Sequence, residues 1–188
     1  SAAFQTLRNN TDVQEDIDAY RQYFDKPVDK ELDLTIRVKN LPLPIMMSME
    51  IDTLYVPPME WNDAMPMMNW LSSAEQVHWI LHDPDTGKRN MDIDWKFQQG
   101  DVVKIRIFND PETIHPMNHP FHVHGQRFLV LSLDGVRNEN LVWKDTAIVP
   151  VGSTMEVLVE MSNPGTWMIH CHMLEHQVAG MATWFKVD

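Results

Sequence analysis

Two short stretches hold six of the nine histidines and the single cysteine. HPFHVHG carries His119, His122 and His124, and HCHMLEHQVAGM carries His170, Cys171, His172, His176 and Met181. Cys171 is the only cysteine among the 188 residues. In an extended strand, alternate side chains share a face. His122 and His124 then point one way and His119 the other. His170 and His172 likewise share a face, and Cys171 points away from both. Parity therefore predicts two sites. One gathers four imidazoles, from His122, His124, His170 and His172. The other gathers Cys171 and His119, and a turn after His172 brings His176 and Met181 back towards the thiol.

The chemistry of the two sites differs. Two imidazoles and a thiolate with a weak axial thioether are the ligand set of a blue copper electron-transfer centre. An all-imidazole site suits copper, zinc or iron. Cys171 is covalently flanked by His170 and His172, so an electron arriving at its sulfur has a short bonded route to the imidazole site.

Strands must position these residues. ELDLTIRV alternates through Leu32, Leu34, Ile36 and Val38, and DVVKIRIF through Val103, Ile105 and Ile107. TMEVLVEM alternates too, with Glu156 and Glu160 outward onto a solvated face, while FLVLSL is a more continuous apolar run. TWMIH and ATWFKV complete the set, and Asp-Gly, Gly-Ser and Asn-Pro-Gly turns separate the runs. Short strands at this spacing make an all-β sandwich or barrel. Before them, residues 11–24 read as a helix with Val13, Ile17, Tyr20 and Phe24 on one face, which Pro27 stops. The expected organisation is an arm at 1–60 holding this helix and the first strand, a Met-rich loop at 61–77, and a compact domain at 78–188. Met46, Met47, Met49, Met59, Met65, Met67 and Met68 crowd the preceding region. They are gap fillers or a thioether surface for Cu(I), a soft ion.

Composition narrows the partners. A net charge of -12 repels phosphate backbones, so nucleic acid is not expected. No apolar run reaches a membrane-spanning length, and SAAFQTLRNN has neither the basic start nor the apolar middle of a signal peptide. One cysteine leaves no internal disulfide. His78, His82 and His115 fit neither histidine group and are assigned structural or surface roles.

The two motifs, their order and their spacing resemble the last two copper-binding signatures of the multicopper oxidases, a family that includes laccases and cuprous oxidases. GDVVKIRIFND and WKDTAIVPVGSTMEVLVEMSNPGTWMIHCH, around the motifs, resemble it as well. The resemblance is strong from about residue 78 to 188. It implies a cupredoxin-like Greek-key β-sandwich, preceded here by the helical and extended arm. By the resemblance, His119, Cys171, His176 and Met181 bind a type 1 copper. His122 binds a type 2 copper, and His124, His170 and His172 bind a type 3 pair. Cys171, His170, His172 and His176 become the electron path, and the outer edge of His176 faces a reducing substrate, a phenol or Cu(I). Dioxygen is the acceptor and is reduced to water. The family completes its trinuclear cluster with two His-x-His pairs from an N-terminal cupredoxin domain. This sequence has no such pair before His122, so it carries half of that site, and turnover is not expected of it alone. Gln177 stands where many bacterial relatives have an acid that relays protons. The resemblance places the protein in the periplasm or outside the cell. The competing readings are a stand-alone electron-transfer module and a zinc-bound or metal-free structural domain.

Overall fold

A computed structural model of the chain describes residues 16–40, 43 and 76–188. The helix expected at 11–24 is described only in part. Residues 16–18 are helical, 19–20 form a turn, and Arg21–Tyr23 make a 3-10 helix. The Met-rich segment, with the seven methionines from Met46 to Met68, lies outside the described residues. No described helix is long and apolar enough to cross a membrane.

The described strands are β1 (Lys30–Val38), β2 (Val77–His82), β3 (Trp95–Phe97), β4 (Val102–Asn109), β5 (His119–Val123) and β6 (Arg127–Leu133). They continue with β7 (Val136–Arg137), β8 (Trp143–Lys144), β9 (Thr146–Val149), β10 (Thr154–Glu160), β11 (Gly165–Cys171) and β12 (Ala182–Val187). They form two mixed sheets. The larger runs β2–β1–β4–β10–β6–β7, with β8 also paired to β6, and the smaller runs β3–β12–β11–β5–β9. The β1–β4 and β12–β3 pairs are parallel and the others antiparallel. The core lies between the sheets. Leu32, Leu34, Trp79, Ile105, Ile107, Phe128 and Val157 face Phe121, Val123, Ile169, Phe185 and Val187, all nearly or fully buried.

Two features depart from the sequence expectation. β1, expected in a preceding arm, is hydrogen-bonded on both sides, to β2 and to β4. It is an interior strand of the larger sheet, and Leu32 and Leu34 are core residues. Val77, expected to close a loop, opens β2. The second departure is the outer face of the larger sheet, which is covered rather than solvated. Ile17 packs there with Leu129, Leu131 and Leu158, and Tyr20, Tyr23 and Phe24 close over them. This explains the nearly continuous apolar run FLVLSL, because Leu129 and Leu131 are buried on this face and Phe128 on the other. Glu156 and Glu160 are ion-paired on that face, to Lys104 at 3.2 Å and to Arg127 at 2.7 Å. Arg127 also holds Asp16 at 2.9 Å, and its guanidinium sits 4.0 Å over the Trp143 ring. The Trp143 Nε1–H donates to Asp16 at 2.8 Å.

β5 and β11 position the metal-binding motifs. They are adjacent and antiparallel, with His122 opposite His170 and Phe121 opposite Cys171. His119 and Cys171 therefore face the core, while His122 and His170 face away from it. After β11 the chain forms a short helix, α1 (Leu174–Val178), and returns as β12.

Candidate metal centres

The inner face of the smaller sheet brings three donor atoms together. Cys171 Sγ lies 3.6 Å from His119 Nδ1 and 3.6 Å from His176 Nδ1, and the two nitrogens are 3.2 Å apart. All three residues are buried. The spacing can be tested against a shared ion. Two imidazole nitrogens at ~2.0 Å and a thiolate at ~2.3 Å from one ion stand ~3.3–3.7 Å apart, for angles between tetrahedral and trigonal. The triangle fits within about 0.1 Å on every edge. Met181 is fully buried in the same core cluster. Its N–H donates to the His176 carbonyl at 2.8 Å, and its carbonyl accepts from the Cys171 N–H at 3.1 Å. One turn of helix thus folds His176 and Met181 back onto Cys171. The soft sulfur of Cys171 beside two imidazoles suits copper better than a hard cation.

Burial sets the protonation of this site. It holds the His119 imidazole down to about 3, with His115 adding to the effect. It holds His176 down to about 2, with His119 and His115 adding to it. Burial pushes the Cys171 thiol up to about 12. Without metal the pocket therefore contains two neutral imidazoles and a neutral thiol, and only the thiol must lose a proton to become a ligand.

The outer face holds the second group. His122, His124 and His170 each offer a nitrogen within 4.8 Å of the others. The His172 ring stands beside them, 5.4 Å from His122 and 5.8 Å from His170 between centroids. His122 Nδ1 lies 2.8 Å from both the Asp145 carbonyl and Thr146 Oγ1, and the Thr146 hydroxyl donates to the Asp145 carboxylate at 2.9 Å. This network fixes the Nδ1–H tautomer of His122 and leaves Nε2 to face the cluster. His170 is fixed in the same way, through Nδ1 to the Cys171 carbonyl at 2.8 Å. Its Nε2 lies 2.8 Å from His124 Nε2, a hydrogen bond between imidazoles and closer than two ligands of one ion. Burial first, then the neighbouring rings, holds His122 and His170 below the ordinary histidine range, against the opposing pull of their carbonyl partners.

The structure brings together the residues that parity grouped. It also adds several that sequence reasoning missed. Trp79 on β2 stacks on His176, with centroids 3.6 Å apart and planes at 19°, and meets His119 edge-on at 5.4 Å. His176, expected to present an outer edge to substrate, is only 2% exposed. His115, assigned a structural or surface role, is buried and bears electrostatically on both inner histidines. Thr146 carries no signal in the sequence that would mark it as a partner of His122. Gln177, where an acid was looked for, donates to Met168 Sδ at 3.5 Å, and Glu175 is exposed. His82 pairs with Asp33 at 3.1 Å, away from both sites.

Comparison with known proteins gives a consistent result. The multicopper oxidase family profile matches residues 64–188. The chain is 37% identical over 99 residues to the multicopper oxidase mco of Staphylococcus epidermidis, covering 52% of this chain and 22% of the relative. It is 45% identical over 67 residues to the multicopper oxidase MmcO of Mycobacterium tuberculosis, covering 36% and 13%. The chain thus spans less than a quarter of the length of each of these relatives. Among solved structures, a multicopper oxidase from Campylobacter jejuni superimposes with a TM-score of 0.54 at 20% identity, over 87% of this chain and 31% of that one. A multi-copper oxidase from Pediococcus acidilactici gives 0.50 at 30% identity, over 57% and 23%. The first likeness establishes the fold, a cupredoxin-like sandwich.

Proposed function

The chain belongs to the multicopper oxidase family, and from that premise we propose that it is the C-terminal cupredoxin domain of such an oxidase, with a type 1 copper bound by His119, Cys171, His176 and Met181. The observation that carries this reading is the buried donor triangle of one thiol and two imidazole nitrogens at metal-sharing distances. Copper in that pocket supplies a one-electron acceptor for a reducing substrate such as a phenol or Cu(I).

Each residue around the pocket has a separate task. The thiol of Cys171 gives up its proton and becomes the ligand. The low-dielectric pocket keeps His119 and His176 neutral, so neither imidazole must be deprotonated first. The backbone joins Cys171 directly to His170 and His172, and that bonded path leads from the inner pocket to the outer face. On that face His122 is proposed as a type 2 ligand, and His124, His170 and His172 as type 3 ligands, of a cluster at which dioxygen is reduced to water. The Asp145 carbonyl and Thr146 hydroxyl orient His122 for that role, and the Cys171 carbonyl orients His170. The remaining imidazoles of the cluster are proposed to come from an N-terminal cupredoxin domain of the same enzyme.

Copper loading of the chain tests the reading. The expected result is an intense blue band with one tightly held copper per chain, absent from Cys171→Ser, while the outer imidazoles of that variant still take up metal. Copper uptake without a blue band would remove the type 1 assignment. Oxygen uptake by the isolated blue chain would remove the requirement for imidazoles from another domain.

A further inference from the structure

We propose that Trp79 is a positioning residue that sets the reduction potential of the inner centre, an inference that rests on the copper reading above. Trp79 comes from β2, in the larger sheet, whereas the candidate ligands come from the smaller sheet and the turn after it. Its indole nevertheless stacks almost flat on the His176 ring at 3.6 Å and 19°, and meets His119 edge-on. It is 2% exposed, so no solvent competes for that face.

The contact is locked from the backbone side. The Trp79 N–H donates to the Ala179 carbonyl at 3.1 Å. The Trp79 carbonyl accepts from Asn90 Nδ2 at 3.1 Å, and Asn90 Oδ1 accepts from the Leu81 N–H at 2.7 Å. Gly180, with φ at +120°, passes so close that a Cβ there would lie 2.9 Å from both the Trp79 carbonyl and Asn90 Nδ2. The turn carrying His176 and Met181 is thus pinned to the strand carrying the indole, and the two rings cannot slide apart independently.

The electrostatics of the stack have a sign. An indole face is the negative end of a quadrupole. An imidazole bound to Cu(II) carries more positive charge than one bound to Cu(I), so the indole favours the oxidised state. A desolvated interaction of this kind changes an equilibrium by roughly tenfold. For a one-electron couple, tenfold is 59 mV. Without the indole the centre therefore holds Cu(I) about tenfold more strongly relative to Cu(II).

The test uses the full chain as wild type, Trp79→Phe and Trp79→Leu. Copper per chain is counted, and the potential is titrated on the blue band. Trp79→Leu should raise the potential by about 59 mV at unchanged copper content, and Trp79→Phe, which keeps a ring, should recover most of the wild-type value. In the metal-free chain, proton NMR should show the His176 ring protons shifted upfield by the indole, a shift lost in Trp79→Leu and kept in Trp79→Phe. If Trp79→Leu does not fold, Trp79→His, which keeps a smaller ring in the slot, takes its place and should raise the potential by a lesser amount. A blue Trp79→Leu, or its stand-in Trp79→His, with an unchanged or lowered potential overturns the proposal, as does an unshifted His176 in the wild type. A wild-type chain that takes up copper without a blue band overturns the copper reading instead, before any variant is compared.

Discussion

Moving the metal-free chain from pH 7 to pH 5 should destabilise it by about 4 kcal/mol through His119 and His176 alone. In the unfolded chain both imidazoles take up a proton near the ordinary value of 6.5. In the folded chain burial keeps them neutral down to about 3 and about 2. Between those values the unfolded state binds more protons, so stability is complete above about 6.5 and is lost as the pH falls towards 3. At pH 5 each unfolded imidazole gains about 2 kcal/mol from protonation that its folded counterpart forgoes, and at pH 7 about 0.2 kcal/mol. The difference, doubled, is a large part of a typical stability of about 5–15 kcal/mol. Cys171 contributes nothing here, because its thiol is neutral in both states over this range. Urea unfolding followed by tryptophan fluorescence, at steps between pH 5 and 7.5, measures the slope, and a constant m-value keeps the comparison valid. The double variant His119→Gln/His176→Gln should show a clearly shallower slope whatever its absolute stability, the remainder coming in part from His122 and His170, which burial also holds below the ordinary range. A wild-type loss below about 1 kcal/mol over this range, or an equal slope in the double variant, would refute the claim that burial holds the inner imidazoles neutral.

Filling the inner pocket with Co(II), whose thiolate band reports Cys171 alone, should release a single proton per ion between pH 5 and 8. The apparent affinity should therefore rise about tenfold per pH unit, and a steeper dependence near pH 6 would mean that a histidine must also be deprotonated. Gly180→Ala should destabilise the chain and weaken metal binding, because its Cβ would press on the Trp79 carbonyl. Gly87→Ala, at φ +70° with nothing within 4 Å, should cost only about 1 kcal/mol and leave binding unchanged. Ile17→Ala should cost about 2–5 kcal/mol in urea unfolding, since Ile17 is buried against Leu129, Leu131 and Leu158. A cost near zero would mean that residues 16–24 are dispensable to the sandwich.

The candidate site was more legible than the fold around it. Strand parity is a local rule, and HPFHV and IHCH are extended enough for it to hold. It placed Cys171 and His119 on one face and the remaining imidazoles on the other with no tertiary information. Trp79 was illegible for the opposite reason. VHWILH lies between a Met-rich stretch and an Asp-Thr-Gly turn, and nothing in it says that its inner face ends against a ligand from another sheet. β1 shows the same limit, because its alternation declared a strand but not which neighbours would pair with it. β7, β8 and β9 are two to four residues long, too short for periodicity to register. The burial of His176 is not legible in the motif, which specifies donor types and spacing, while burial depends on what a distant strand lays over the ring.

The shorter imidazole contact on the outer face, 2.8 Å between His124 and His170 against 3.2 Å between His119 and His176, should make the inner pocket the first to fill. The inner pocket already holds its donors at receiving distance and needs only to shed the thiol proton. The outer pair is latched at 2.8 Å, and its rings must part and surrender the shared proton before an ion can stand between them. Supplied with a single equivalent, the population should therefore be uniform, with every chain filled inward and open outward, instead of a statistical mixture.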